Sequence, residues 1–194
     1  MLKDKNILYI VHSYHSFQKD SIEAIAKEFK NVYVIVRYKP IAEISKIFPI
    51  NTLKIHRREH IFQESGMPSN VHVYLAPLWY IPINFFYRFL GEYHFKVVER
   101  IINREKIKFD LIHAHFTWTS GYVGMKLKRK FNKPLILTIH SSSSFKYQLE
   151  SGDEKFYSIW READVITKVN SHDIEDLKKF NKRVYYIPNG FNQG

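Results

Sequence analysis

From residue 109 to residue 187 short apolar runs alternate with amphipathic stretches of about ten residues, and this alternation limits the chain more than any other feature. The runs cover 109–113, 134–140, 164–169 and 183–187, and segments of helical period fill 121–131, 154–162 and 171–180. Strands separated by helices cannot pair as hairpins. They must join through right-handed crossovers, which builds a mostly parallel sheet with helices on both faces, an α/β fold. The N-terminus begins the same way. Asn6-Ile7-Leu8-Tyr9-Ile10-Val11-His12 is a continuous apolar run ending in a polar residue, as a strand buried on both faces requires. Ile22, Ile25, Ala26 and Phe29 then recur at helical spacing over 20–29, and Val32-Tyr33-Val34-Ile35-Val36 reads as the second strand.

Between these two regions the pattern predicts a short helix over 41–48 and strands over 52–56 and 71–76, with turn chemistry in Gly66-Met67-Pro68-Ser69-Asn70. A long amphipathic helix is predicted over 84–106, with Phe86, Leu90, Tyr93, Val97 and Ile101 on one stripe and Glu92 and Lys96 paired across a turn. A length of 194 residues without an interdomain linker suits one core. No stretch is apolar for long enough to span a bilayer, and Met1-Leu2-Lys3-Asp4-Lys5 leads into the first strand without a signal-peptide core; both point to a cytoplasmic protein. The absence of cysteine excludes disulfides, thiolate metal sites and a cysteine nucleophile. A net charge of +11 favours anionic partners, such as phosphates, nucleic acid or an acidic membrane surface. The basic clusters at 54–58, 126–133 and 178–183 are either contacts to such partners or solvated faces.

In an open α/β sheet, ligands bind beyond the carboxyl ends of the strands, so the residues just after each predicted strand carry the chemistry. They are polar: His12-Ser13-Tyr14-His15-Ser16, His113-Ala114-His115, His140-Ser141-Ser142-Ser143, Asn170-Ser171-His172 and Pro188-Asn189-Gly190. His113 and His115 share one side of an extended chain, either as metal ligands or, for the deeper His113, as a buried structural group; no third ligand has metal spacing, and no metal is expected. Ser171 is placed to cap a helix, and Asn189-Gly190 to form a turn. None of the seven glycines forms Gly-x-Gly-x-x-Gly, a Walker loop or a Gly-x-Ser-x-Gly elbow, which argues against a dinucleotide site, a P-loop and an α/β-hydrolase.

Phe109-Asp110-Leu111-Ile112-His113-Ala114-His115, then Ser120-Gly121, then Lys133-Pro134-Leu135-Ile136-Leu137-Thr138-Ile139-His140 resembles a pattern of the retaining, two-Rossmann-domain (GT-B type) glycosyltransferases of family four, relatives of sucrose and glycogen synthases and lipid mannosyltransferases. Ala163-Asp164-Val165-Ile166-Thr167-Lys168-Val169-Asn170-Ser171 and Ile187-Pro188-Asn189-Gly190-Phe191-Asn192 resemble two further segments of that family in the same order. The resemblance implies a single Rossmann-like domain over 1–194, the N-terminal, acceptor-side half of such an enzyme, with the donor-nucleotide domain and its two glutamates outside the sequence. It implies transfer of a sugar from a nucleotide-sugar to a saccharide or lipid acceptor, with no separate cofactor and little activity for this half alone. By the same resemblance His115 faces the transferred sugar as the catalytic residue. His140 and Ser141 line the cleft, Ser13, Tyr14 and His15 lie near donor phosphates or acceptor, and Asn189 and Gly190 sit at the hand-over to the second domain. The sequence departs from the pattern where His12-Ser13-Tyr14-His15 replaces a glycine pair, Ser141 and Ser143 replace Gly and Asp, and Asn192 replaces Asp. The expected partners are the donor, the acceptor, the second domain and an anionic membrane surface, with no nucleic acid; the alternative is a basic α/β module that binds nucleic acid without catalysis.

Overall fold

The structure is a computed structural model that describes residues 2–48, 51–80 and 87–189. Seven strands form one sheet: β1 (Asn6–Val11), β2 (Asn31–Tyr38), β3 (Val71–Pro77), β4 (Leu111–His115), β5 (Leu135–Ile139), β6 (Val165–Lys168) and β7 (Val184–Tyr186). Their spatial order is β3-β2-β1-β4-β5-β6-β7, and every pairing is parallel. The fold is therefore the Rossmann-like α/β arrangement expected. β1 pairs Ile7 with Val32 on one side and with Leu111 on the other, so strand order reverses there and a crevice opens beyond its carboxyl end.

The helices long enough to pack on the sheet are α1 (Ser16–Ala26), α4 (Leu90–Arg104), α5 (Tyr122–Phe131), α6 (Ser142–Glu150) and α7 (Glu154–Glu162). Shorter helical segments include α2 (Asn51–Lys54), α3 (Arg58–Ile61), α8 (Ile174–Lys178) and a 3-10 helix over Pro40–Lys46, where a short helix is expected. Alternation of side chains along each strand sorts the core into two layers. Leu8, Ile10, Ile112, Ala114, Leu135 and Leu137 pack under α4, α5 and α7 through Val98, Ile101, Val123, Leu127, Ile159 and Trp160. Ile7, Tyr9, Val11, Val34 and Val36 pack against Ile22 and Ala26 of α1 and against Phe29 just beyond it on the other face. Tyr9 stands beside His113 in register, with ring centroids 4.8 Å apart, which puts His113 and His115 on the α1 side.

Several sequence expectations are corrected. Residues 52–56 are not a strand: 51–54 form α2, and a backbone bond of 3.0 Å from His56 N to Leu53 O closes a turn. The strand expected over 109–113 is shifted to 111–115, because the Phe109 ring meets Phe131 edge-on at 5.3 Å and the Asp110 carboxylate accepts from Asn6 N at 3.0 Å. α1 begins four residues before the expected start at Asp20, and α6 starts within a serine run that the helical periodicity does not mark. Ser171 does not cap its helix; Asp173 occupies that position and the helix is confined to Ile174–Lys178. Glu92 accepts from the Tyr122 hydroxyl at 3.0 Å and pairs with Lys126 at 3.3 Å instead of Lys96. The long helix is described from Leu90, and its expected first turn, with Phe86, lies outside the described residues.

The cluster at 126–133 is interleaved with acids. Lys128 pairs with Asp164 at 2.6 Å, Lys133 with Asp110 at 3.9 Å, Arg129 with Glu162 and Lys130 with Glu99. These pairs stabilise little individually at an exposed surface, but they turn the cluster into a mixed-charge helix face.

Candidate functional site

The crevice beyond β1 and β4 is built on histidines. His115, only 3% exposed, ends β4 with its ring centroid 4.7 Å from that of His113 and 4.9 Å from that of His140. Its Nδ1 lies 3.1 Å from His140 Nε2, so one of the two nitrogens carries the proton and the other accepts it. His113 Nε2 meets Thr138 Oγ1 at 2.7 Å, and Thr138 Oγ1 meets Thr167 Oγ1 at 2.6 Å, a hydrogen-bonded row crossing β4, β5 and β6. Burial holds His113 down to about 3, with the charge of His140 adding to the shift. Burial likewise holds His140 at about 4, against an opposing influence from the Asn189 side chain and with Lys168 contributing. His12 and His115 are both pushed well below the usual histidine range, burial again being the largest cause. At neutral pH these rings are uncharged, and they act as oriented hydrogen-bonding dipoles rather than as cations.

His140, partly exposed like His12 and His113 and unlike His115, touches the rings of Phe17 at 5.2 Å and Phe116 at 4.9 Å. His12 stacks flat on Phe116, with centroids 4.5 Å apart and planes 6° from parallel. Phe116 holds φ 72° and ψ 142°, a region that favours glycine. Its amide donates to Thr138 O at 2.8 Å and its carbonyl accepts from Gly121 N at 2.9 Å. A Cβ on Gly121 would stand 3.1 Å from that carbonyl and 3.0 Å from both Leu137 Cδ1 and Ile159 Cγ2, which explains the glycine six residues after His115.

The other expected site residues divide. Asn189 shares with His113, His115 and His140 the wall of a cavity of about 410 Å³ on the α1 face. Ser141 caps α6, its Oγ accepting from Ser144 N at 3.1 Å. Ser13 binds Gln18 Oε1 through its amide at 3.2 Å and its hydroxyl at 3.3 Å. His15 Nδ1 pairs with Ser16 Oγ at 2.6 Å. Tyr14 does not join the crevice: its ring is fully buried and its hydroxyl donates to Glu23 Oε1 at 2.6 Å, making it a core residue. Gly190 lies outside the described residues. Among the described residues no group of three or more His, Asp or Glu has a metal-binding arrangement, and no helix is long and apolar enough to cross a membrane.

Sequence reading passed over two features. Lys168, fully buried at the end of β6, forms an ion pair of 3.1 Å with Asp173, itself 3% exposed; a lysine ending an apolar strand is the signal that marks it. Arg37, next to the end of β2, lines a cavity of about 210 Å³ with His12, Phe116, Trp118, Ser141 and Ser144. Its signal is the same, a cation closing an apolar run.

Residues 54–193 match the model of Glycosyltransferase Family 4, and the chain belongs to that family. A D-inositol 3-phosphate glycosyltransferase of Arthrobacter sp. (strain FB24) is 39% identical over 59 residues, covering 30% of this chain and 14% of the relative. An uncharacterized glycosyltransferase of Methanocaldococcus jannaschii is 44% identical over 50 residues, covering 26% and 14%. Among solved structures, UGT89C1 of Arabidopsis thaliana complexed with UDP superposes with a TM-score of 0.55 at 13% identity over 94% of this chain and 51% of that one. The chain spans about half the length of the solved structures it matches.

Proposed function

We propose that the chain is the acceptor-side half of a retaining glycosyltransferase that moves a sugar from a nucleotide-sugar to a saccharide or lipid-type acceptor, with a second domain holding the donor nucleotide. The observation that carries this reading is the meeting of His12, Phe116, His115 and His140 at the point where strand order reverses. The names of its relatives support the class of reaction: two are D-inositol 3-phosphate glycosyltransferases, and UGT89C1 was solved with UDP and with UDP-L-rhamnose. Sugar transfer with departure of a diphosphate needs oriented dipoles around a developing charge more than an activated nucleophile, and uncharged, mutually bonded imidazoles are such dipoles. In this reading His140, a partly exposed ring, meets the sugar. His115, buried behind it and bonded to it, orients that ring and fixes its tautomer.

The test is kinetic. In a protein carrying this domain together with a donor domain, His140→Ala lowers kcat by about 100-fold or more with donor KM changed only a few-fold, as expected for a group acting mainly in the transition state. The 194-residue chain alone shows at most weak nucleotide-sugar binding by calorimetry and no turnover. Unchanged kcat in His140→Ala would remove the histidine cluster from the chemistry. Turnover by the chain alone would overturn the half-enzyme reading.

A further inference from the structure

We propose that the cavity between Arg37, His12 and the start of α6 binds an oxyanion, a phosphate or carboxylate carried by the acceptor, with the Arg37 guanidinium as its counter-charge. Alternation along β2 puts Arg37 on the same face as Tyr33 and Ile35, beneath the crevice floor, where it lines the cavity of about 210 Å³. A guanidinium carries five donors and stays charged, so it is expensive to hold even half-buried, as Arg37 is, without acceptors. Among the described residues the Arg37 side chain makes no hydrogen bond and no ion pair, and no Asp or Glu lines its cavity.

The surroundings are cationic as well. Lys39, two residues on, holds its Nζ 5.4 Å from the centre of the Tyr80 ring, and burial together with the Arg37 charge brings it down to about 8. The charge of Arg37 also acts on His12, His56 and His94, in each case in the direction that opposes protonation. These groups disfavour one another's positive charge, and the described part of the chain brings no carboxylate to the cavity wall that would relieve them.

The rest of the lining supplies donors. His12 Nε2 and Trp118 Nε1 are buried without a partner among the described residues, and Ser144 lines the same space at the N-terminus of the nine-residue α6. A backbone end of this polarity adds to the attraction for an anion. A second cavity of about 300 Å³ adjoins it, sharing Tyr87, Trp118, Ser144 and Gln148 and adding Tyr147 and Phe156. The pair of cavities therefore offers a cationic end for an oxyanion and aromatic faces for the ring that bears it, which favours a small anionic acceptor over the diphosphate of the donor.

The inference rests on the acceptor-side reading, and binding to the 194-residue chain tests it without turnover. Glucose 6-phosphate, glucuronate, inorganic phosphate, neutral glucose and UDP serve as probes, titrated against wild type, Arg37→Gln, Ser144→Ala and, as a surface control, Lys130→Gln. The expected result is millimolar or tighter binding of the anionic sugars, weakened at least tenfold by Arg37→Gln, less by Ser144→Ala and not by Lys130→Gln, with glucose binding unaltered. Arg37→Gln should also melt at a higher temperature than wild type in phosphate-free buffer, since it removes an uncompensated charge, and should lose the rise in Tm that phosphate gives the wild type. Equal binding by wild type and Arg37→Gln, an Arg37→Gln chain that melts lower or fails to fold, or loss of affinity confined to UDP would each overturn the assignment. Transfer activity in a two-domain parent alongside any of those results would leave the transferase reading standing and this inference fallen. Anion binding here with no transfer there would give the reverse.

Discussion

Phe116 shows how a single residue holds the crevice together. Its backbone sits at φ 72°, where a side chain costs about 1–3 kcal/mol, while its ring carries His12 on one side and His140 on the other. Removing the ring without relieving the backbone is therefore worse than removing both. Phe116→Gly is expected to be more stable than Phe116→Ala by about 1 kcal/mol in urea unfolding, the reverse of the usual order. The ion pair of Lys168 and Asp173 makes a second case. Asp173→Asn removes the charge of the carboxylate that faces the buried ammonium and should cost about 3–5 kcal/mol, whereas Lys168→Met with Asp173→Leu should recover most of that loss. Equal losses in the single and double variants would show that packing, not charge, holds the corner.

Between α5 and the strands beneath it, the decisive contact is the one at Gly121. Gly121 is the N-cap of α5, a position that itself prefers Gly to Ala, and an added Cβ there meets the Phe116 carbonyl and the tightly packed Leu137 and Ile159. Overpacking of this kind costs about 1–3 kcal/mol, so Gly121→Ala should lower stability, and it should shift the ring resonances of His12, because the displaced carbonyl belongs to its stacking partner. A variant as stable as wild type would show that the helix can slide. The same elements show what the sequence discloses. β1, β2, β5 and β6 announce themselves as apolar runs because a parallel strand is buried on both faces. Residues 51–54 alternate weakly over too few positions to separate a helical turn from a strand, and α6 starts in three serines, residues that favour caps over helix interiors. In the crevice, His12, His115, His140 and Asn189 are legible from their places after strands. The inward turn of Tyr14 is not, since it depends on Glu23 and on the bridge to Phe62. Arg37 escapes because its meaning lies in what does not surround it.

For the molecule as a whole, the buried histidines set the response to acid. His94, fully buried and held at about 3, and His115, held well below the usual range, are neutral in the folded chain and titrate near 6.5 once unfolded. Because the folded values are the lower ones, the unfolded chain takes up more protons as pH falls below 6.5, and stability falls with it until the folded values are reached. Each such ring contributes a loss of about 1.4 kcal/mol per pH unit in that window, so these two rings alone should make the stability in urea unfolding at pH 5.5 at least about 2–3 kcal/mol lower than at pH 7.5, with His12, His113 and His140 adding in the same direction. A stability that is level or rises over this interval would mean that the rings are solvated. The sheet order has a further consequence, in time rather than in energy. β1 pairs with β2 at once, but its other neighbour is β4, where Ile7 meets Leu111 after 104 further residues. At a synthesis rate of about 5–20 residues per second, the β4 edge of β1 stays open for roughly 5–20 s on the ribosome, with the apolar Leu8 and Ile10 beside it. The centre of this domain thus closes only after its β3-β2-β1 half has been made, and a nascent chain stalled before residue 111 presents that open edge to whatever binds unpaired strands.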